Sequence, residues 1–336
     1  MRIAIHDEPY LNGCTFYRSH YPFTRLEKDG LIKAIRITEA WKPADFMYCD
    51  IVVKPRPLTE AHYKFLMHAK QHGVKVWIDT DDDFNSIPLT NPARKAVNPH
   101  LAHANNCFRI ADLVTVSTDH LRNDLQGRFP GIPIITLPNV LKQSNISTNF
   151  KDRPKVFWRG SRTHGEDLEV WREIIIKAAS EFEFHWFGEL PFWYNEFPRT
   201  LNFNDLATQE PKPKLKYPCV FHHDWSGIYN YFNRIRSLGL NVMLYPLADN
   251  YFNRSKSNIA WQEATFAGAA CITNARWSEW EKPGVLHDPN VLFDIDKRRI
   301  REAVSKSKTE LGNYTFADRQ KRLYEIAKDL MSGKIK

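Results

Sequence analysis

Three stretches carry side chains whose types and spacing suit a ligand bearing phosphates and hydroxyls. The first is Asp249 to Gly268, DNYFNRSKSNIAWQEATFAG. Lys256 and Glu263 lie seven residues apart in it, two helical turns, so one face of a helix would carry both. A cation at the helix start and a carboxylate two turns on would hold the two ends of an elongated polar ligand. Ser255 or Ser257 has the residue type of an N-cap, and the amides of a helix N-terminus favour an anion such as phosphate. Glu263 has the chemistry to accept hydrogen bonds from a diol such as a ribose. A solvated helix with ordinary charges accounts for the same residues equally well.

The second stretch is Arg159-Gly160-Ser161-Arg162-Thr163-His164. Small residues there let backbone amides approach an anion, and the arginines neutralise it. GxxxxGK and GxGxxG spacings are both missing, so it is neither a Walker A loop nor a dinucleotide fingerprint. An ordinary strand-to-helix turn competes with this reading, in which Glu166 and Asp167 only complement the helix dipole. The third stretch, Asp79-Thr80-Asp81-Asp82-Asp83, packs four carboxylates into five residues. Their repulsion demands cations, hydrogen bonds or raised pKa values. A metal held by oxygen ligands, a carboxylate taking a proton from a hydroxyl acceptor, and a solvated acidic turn all fit. His6, His164 and His222 stand at strand ends, where plain hydrogen bonding is the simpler account. Phe192, Trp193, Tyr194, Trp225, Trp277 and Trp280 have rings able to stack on bases or sugars, with packing as the more economical reading. No Ser-His-Asp order or HExxH spacing stands out.

These residues need strands to present them. Arg2 to His6, Leu31 to Thr38, Cys49 to Lys54, Val74 to Asp79, Leu113 to Ser117 and Pro133 to Leu137 read as strands. Phe16 to Lys28, Leu58 to His72, Asn98 to Ile110 and Asp119 to Gln126 read as helices between them, with Gly73 as a helix stop. After the polar segment Lys142 to Arg153 the alternation restarts. Its strands are Lys155 to Trp158, Glu183 to Phe187, Cys219 to His222, Leu240 to Tyr245 and Ala270 to Thr273. Its helices are Glu166 to Ser180, Ile228 to Ser237, Lys297 to Ser307 and Thr315 to Met331. Leu190 to Pro218 is rich in proline and aromatics and has no clear period. Short, nearly all-apolar strands alternating with helices predict parallel sheets covered on both faces, here two doubly wound α/β units in series. Ligands of such sheets sit at the carboxyl ends of strands. That rule selects Asn12-Gly13, Lys54-Pro55-Arg56, Asp79 to Asp83, Arg159 to Ser161, Gly188-Glu189 and Asp249 to Lys256, all expected to converge on one cleft.

A chain of 336 residues suits two domains. The expected divisions are 1–141, a linker at 142–154, 155–314, and a C-terminal helix at 315–336. No run of 18 apolar residues and no signal-peptide core occurs, so no membrane span and a cytoplasmic location are expected. The five cysteines form no CxxC pair, which argues against a zinc site and for reduced thiols. The net charge of +8 suggests an anionic partner: a nucleotide, a nucleic acid or a membrane surface.

Taken together, these features resemble a GT-B glycosyltransferase, nearest to the family 4-like retaining enzymes typified by sucrose and glycogen synthase-like proteins. The resemblance spans nearly the whole chain. It is carried by Phe16-Tyr17-Arg18 with Pro22 and Leu26, by the Asp79 to Asp83 strand end with Pro88 and Asn91-Pro92, and by Gly160-Ser161 with Thr163-His164 and Asp167-Leu168. Its fourth part is Pro246 to Asn250 running to Lys256-Ser257, Glu263 and Gly268. It implies two Rossmann-like domains facing each other across a cleft, and a hexosyl- or pentosyltransferase using a nucleotide-diphosphate sugar, UDP-linked, without obligatory metal. By position it implies Glu263 on the ribose hydroxyls and Lys256 and Arg159 on the diphosphate. Gly13, Gly160, Ser161, Asp249, Asn250 and Ser257 complete the donor site. Arg18, Arg56, Asp81, Asp82 and Asp83 are implied on the acceptor side, with Asp81 or Asp82 as the base an inverting reaction would need. Ser255 stands where the family has the first of two glutamates, which leaves the sugar open. The last helix would cross back to the first domain.

The basic charge points the acceptor expectation to double-stranded DNA, as in bacteriophage enzymes that glycosylate 5-hydroxymethylpyrimidines such as 5-hydroxymethylcytosine. Lys33, Arg36, Arg56, Arg94 and Arg109 are the expected phosphate contacts, and a monomer or weak dimer is expected. A cell-surface saccharide or lipid-linked acceptor, and a non-catalytic nucleotide or nucleic-acid binding protein of the same fold, are the alternatives.

Overall fold

The structure is a computed structural model and describes residues 1–6, 11–37, 41–144, 153–203, 219–225 and 227–335. The first sheet holds β1 (Arg2–His6), β2 (Lys33–Ile37), β3 (Ile51–Pro55), β4 (Lys75–Thr80), β5 (Leu113–Val116) and β6 (Ile134–Thr136). Their order is β2-β1-β3-β4-β5-β6 and every pairing is parallel. Central strands such as IVVKP are buried along their whole length, and the edge strands β2, KAIRI, and β6, IIT, leave most of their side chains at least partly exposed. That is the pattern of a parallel sheet covered by helices on both faces.

The second sheet repeats the plan with β7 (Lys155–Gly160), β8 (Glu183–Gly188), β9 (Thr200–Asn202), β10 (Cys219–His223), β11 (Val242–Leu244), β12 (Ala270–Ile272) and β13 (Val285–Leu286). The order is β13-β12-β11-β7-β8-β10-β9, again all parallel. The chain runs outward from β7 on one side and then returns to β11 on the other, so the carboxyl end of β7 flanks a topological switch point.

Local chemistry ends the helices where expected. Thr59 and His62 form a capping box on Glu60–Gln71, and Gly73 at φ +73° turns the chain out of it. Phe316–Met331 has a second box from Thr315 and Asp318. It buries Leu323, Ile326, Ala327 and Leu330 against Ile3, Ile5 and Trp77 of the first sheet. The two units also share a core cluster, in which Phe16, Tyr17 and Leu141 pack with Phe187, Tyr231 and Trp261.

Several sequence expectations are corrected. Lys256 is not at the start of the helix that carries Glu263: Tyr251–Arg254 is a short helix capped by Asn250, and the next helix, Ile259–Phe266, begins only after Lys256. Lys256 and Glu263 therefore do not share a helical face, and neither Ser255 nor Ser257 is an N-cap. The stretch Glu166 to Ser180 is two helices, Gly165–Glu169 and Arg172–Glu181. Phe16 to Lys28 begins with a π-turn, Phe16–His20, before Tyr21–Lys28. Pro22 has no amide hydrogen, so the helix cannot run through it as a regular ladder. The irregular region contains the single 3-10 turn Tyr194–Glu196 and β9, and its last part, 204–218, lies outside the described residues, as does 145–152 of the expected linker.

The π-turn points Arg18 inward. Arg18 is 2% exposed; its guanidinium pairs with both Asp79 oxygens at 2.8 and 2.7 Å, and donates to Leu137 O and Asn139 Oδ1. Removing one partner of such a buried pair leaves an uncompensated charge. Asp79→Asn is expected to lower the unfolding free energy by about 3–5 kcal/mol in urea titrations, and a loss below about 1 kcal/mol would refute this role for the pair.

Burial, reinforced by Lys54, holds His6 down to about 4 and His62 down to about 3. Both rings are neutral when folded and charge near 6.5 when unfolded, so the stability they contribute is present above pH 6.5 and is lost as pH falls toward 4. Melting temperature is expected to drop from pH 7 to pH 5, with a shallower slope in His62→Gln; identical slopes would remove His62 from the account.

Candidate functional site

The carboxyl ends of β7, β8 and β10 open onto a cleft of about 770 Å³, closed on the far side by Thr90, Asn91 and Pro92 of the first unit. Two glycines build its floor. Gly188, at φ +102°, lies so close to β7 that a Cβ would sit 2.0 Å from Gly160 O. A Cβ on Gly160 would meet the Trp158 ring at 2.5 Å. Only glycine lets both strand ends come this near. The Gly160 loop turns upward from this floor, its Ser161 and Thr163 hydroxyls 2.8 Å apart at the rim. Arg162 pairs with Glu189 through its side chain at 3.1 Å and its amide at 2.6 Å. Asn91 Nδ2 donates to Thr163 O at 2.9 Å and Thr90 to Glu166, which ties the units together beside the cleft.

Aromatic side chains form the outer wall. Phe192 is 86% exposed and Trp225 57%, with Tyr194 between these and the buried Trp193. Exposed rings of this size are available for stacking. The packing reading holds for Trp193, and for Trp280, which is fully buried against Tyr245. Trp277 is part of the same core.

Behind the cleft lies a buried polar layer. Glu263, 3% exposed, accepts from Tyr17 Oη of the first unit at 2.5 Å, Arg159 Nε at 2.6 Å and Tyr231 Oη at 3.0 Å. Burial and the neighbouring carboxylate push both phenols well above their usual range, so they remain donors. Burial works against the charge of Arg159, but Glu263 outweighs it and holds the guanidinium pKa high. Beside this node, Asp167 accepts from His164 Nδ1 at 2.7 Å, Ala248 N at 2.8 Å and Asn253 Nδ2 at 2.6 Å. Burial would raise the Asp167 pKa; the His164 hydrogen bond and then the Lys256 charge hold it below the usual range. Burial and the same lysine lower His164. Lys256 Nζ stands 3.7 Å from Asp167, a looser contact than the others, over the Phe252 ring.

The acidic turn forms a separate cluster in the first unit. Arg56 Nη1 pairs with Asp81 at 2.9 Å and Asp82 at 2.8 Å, and Arg128 with Asp83 at 2.6 Å. The carboxylates thus have their cations, supplied by Arg18, Arg56 and Arg128. Among the described residues no group of three metal-ligating side chains converges. Arg56 sits at φ +47°, a backbone strain of about 1–3 kcal/mol for a non-glycine residue. With His6, Trp41, His62 and Phe84 it lines a further cavity of about 610 Å³.

Of the donor- and acceptor-site residues that the resemblance implies, only Ser161 lines the main cleft, with Gly160 under it and Arg159 and Glu263 behind; the rings of Phe192, Trp193, Tyr194 and Trp225, and His222, line it as well. Several are committed elsewhere. Arg18 is sealed in the interior and cannot touch an acceptor in this arrangement. Asp249 pairs with Arg254 at 2.9 Å, Asn250 caps its own helix, and Ser257 accepts from Asn139 at 2.9 Å. Gly13 opens the short Asn12-capped turn Gly13–Thr15, with room for a Cβ 3.9 Å from Tyr17. The expected phosphate contacts are dispersed: Lys33 and Arg36 on edge strand β2, Arg94 bound to Asn85 O, Arg109 over Phe129. Sequence reasoning missed the hub role of Asp167, read as a helix-dipole complement, and the parts of Tyr17, Tyr231 and Asn91. Tyr17 and Asn91 had at least stood inside motif segments.

No protein-family profile matches the chain, and no curated protein matches it in sequence. Solved structures do match. Sucrose-phosphate synthase from Thermosynechococcus elongatus superposes with a TM-score of 0.70 at 10% identity, covering 99% of both chains. Anabaena HepE in complex with UDP gives 0.60 at 10% identity over 98% of this chain and all of that one. The lipopolysaccharide outer core galactosyltransferase WaaB, in its apo form, gives 0.55 at 13% identity over 99% of this chain and 100% of its own. At these identities the likeness speaks to architecture: the chain has the GT-B fold, two Rossmann-like units facing each other.

Proposed function

We propose that the chain is a glycosyltransferase that moves a sugar from a UDP-sugar to a hydroxyl acceptor. The observation that carries this reading is the interdomain cleft itself, in which exposed rings and a glycine-built loop meet at the carboxyl ends of β7, β8 and β10. Phe192 and Trp225 offer π-faces to the uracil. The Gly160 loop, Arg159 and Lys256 serve the diphosphate, whose charge grows as it leaves and is stabilised by fixed donors and cations. Lys256 is suited to this because its contact to Asp167 is loose. Glu263 is the ribose acceptor in this reading, and Tyr17 holds that place in the structure described. Donor entry then exchanges the Tyr17 hydroxyl for ribose hydroxyls and loosens one tie between the units. Reclosure excludes water from the reacting bond. If the reaction inverts, Asp81 or Asp82 takes the acceptor proton, with Arg56 stabilising the turn. No resident cofactor is invoked.

For the acceptor we infer 5-hydroxymethylcytosine in double-stranded DNA, on the strength of the net charge of +8. Phosphate contacts would make binding salt-dependent, and the target base would be flipped out to reach the cleft.

Labelled UDP-glucose, UDP-galactose and UDP-N-acetylglucosamine offered with hydroxymethylated DNA, lipopolysaccharide and sugar phosphates test both parts. UDP release with label in DNA, declining as salt rises, is expected. Label only in a saccharide would remove the DNA acceptor and keep the transferase. UDP binding without turnover on any acceptor would favour a non-catalytic nucleotide-binding protein. Phe192→Ala is expected to weaken UDP binding by about 5- to 150-fold, the range of one base–aromatic stack, and unchanged affinity in calorimetry would sink the stacking role. Glu263→Ala should likewise weaken UDP binding, and unaltered affinity would refute its ribose role.

A further inference from the structure

The chain passes between the two units twice, once after Asn139 and once near Gly312 to Phe316, and both passages border a second cavity of about 660 Å³. It shares no lining residue with the main cleft. Its walls come from the first-unit helix Tyr21–Lys28, the passage Val140 to Gln143, the second-unit helix Lys297–Gly312 and the last helix Phe316–Met331. A molecule bound there would touch both units at once.

The lining has two faces. One is aromatic and aliphatic: Tyr21 and Phe316 have ring centroids 4.7 Å apart, with Tyr324, Leu31 and Leu311 around them. The other is cationic. Arg25, Lys142, Lys308 and Lys321 reach the cavity from four different elements, against a single acid, Asp29, which Arg25 already pairs at 3.0 Å. With Arg25 and Asp29 paired, Lys142 and Lys321 add positive charge from two further backbones, and the neighbouring rings call for a flat apolar group. The volume falls within the range of small-molecule sites, about 300–1,000 Å³.

We propose that this cavity is a binding site for a small aromatic phosphate, its ring against Tyr21, Phe316 and Tyr324 and its phosphate among the lysines. Nothing in the proposed transfer reaction uses it, so it stands or falls independently of that function.

Calorimetry on the whole chain with phenyl phosphate and with AMP tests the site. Saturable binding of either that the double variant below weakens supports it, and their ratio tells a simple aryl phosphate from a nucleotide. Inorganic phosphate and phenol, each carrying half of the chemistry, are expected to bind at least about tenfold more weakly. The double charge reversal Lys142→Glu, Lys321→Glu alters exposed side chains and should fold; it is expected to weaken binding about tenfold or more. Phe192→Ala, in the other cleft, should leave the binding of phenyl phosphate unchanged. No saturation below about 10 mM, equal binding of inorganic phosphate, full binding by the double variant, or loss of binding in Phe192→Ala would each overturn the proposal.

Discussion

The carboxylate of Glu263 is the constraint around which the two halves are arranged. A buried carboxylate is tolerated only when it is paired and hydrogen-bonded. Here Arg159 provides the charge and two tyrosines complete the shell, one of them from the other unit. Satisfying this one group requires the end of β7, the helix Ile228–Ser237 and the π-turn Phe16–His20 to meet at one point. The surrounding cluster, with Phe16, Tyr17, Phe187 and Trp261, keeps water away and so raises the cost of leaving any member unpaired. The same requirement makes the node a natural exchange point: a ligand hydroxyl that replaces Tyr17 can satisfy the carboxylate without the first unit in place.

The first unit repeats this logic with opposite emphasis. Its acidic turn is held by three arginines from three separate elements: the π-turn, the end of β3 and the helix Asp119–Arg128. Arg18 neutralises Asp79 completely inside the sheet, whereas Arg56, Asp81 and Asp82 retain partial access to solvent. Burial divides one run of four aspartates into two structural members, Asp79 and Asp83, and two, Asp81 and Asp82, that keep contact with solvent. The strained backbone of Arg56 lies at that division, where its amide also closes onto Asp79 O at 2.7 Å.

The architecture was legible in the sequence because its signals are local. Runs such as IVVKP and KVWIDT are apolar along both faces, which a parallel sheet under two helical layers requires. Gly73 marks a helix end by its own backbone chemistry, whereas the start, read at Leu58, falls at Glu60 behind the Thr59 cap. The boundaries failed where a neighbour decides. The helix Ile259–Phe266 is buried nearly all round, its Gln262, Glu263 and Thr265 included, so no apolar period shows where it begins, and the Asn250-capped turn before it has only four residues. Strand β9 has three residues and is recognisable only by its pairing with β10.

The site divides in the same way. By itself the sequence determined two α/β units, the glycine-built turn after β7, and the residue types, Arg159, Lys256 and Glu263, on which binding of a diphosphate and a ribose is proposed. Glycine positions and strand ends are properties of a short segment. Which carboxylate is buried, which lysine is loosely held, and which ring stands exposed depend on what packs across the gap. Asp167 became a hub only because Ala248, Asn253 and Lys256 fold against it. Arg18 was withdrawn from solvent only because Asp79 and Leu137 surround it. Phe192 and Trp225 came to face a cleft that no local period encodes. Those outcomes rest on contacts between residues tens to hundreds of positions apart, and only the tertiary structure decides them.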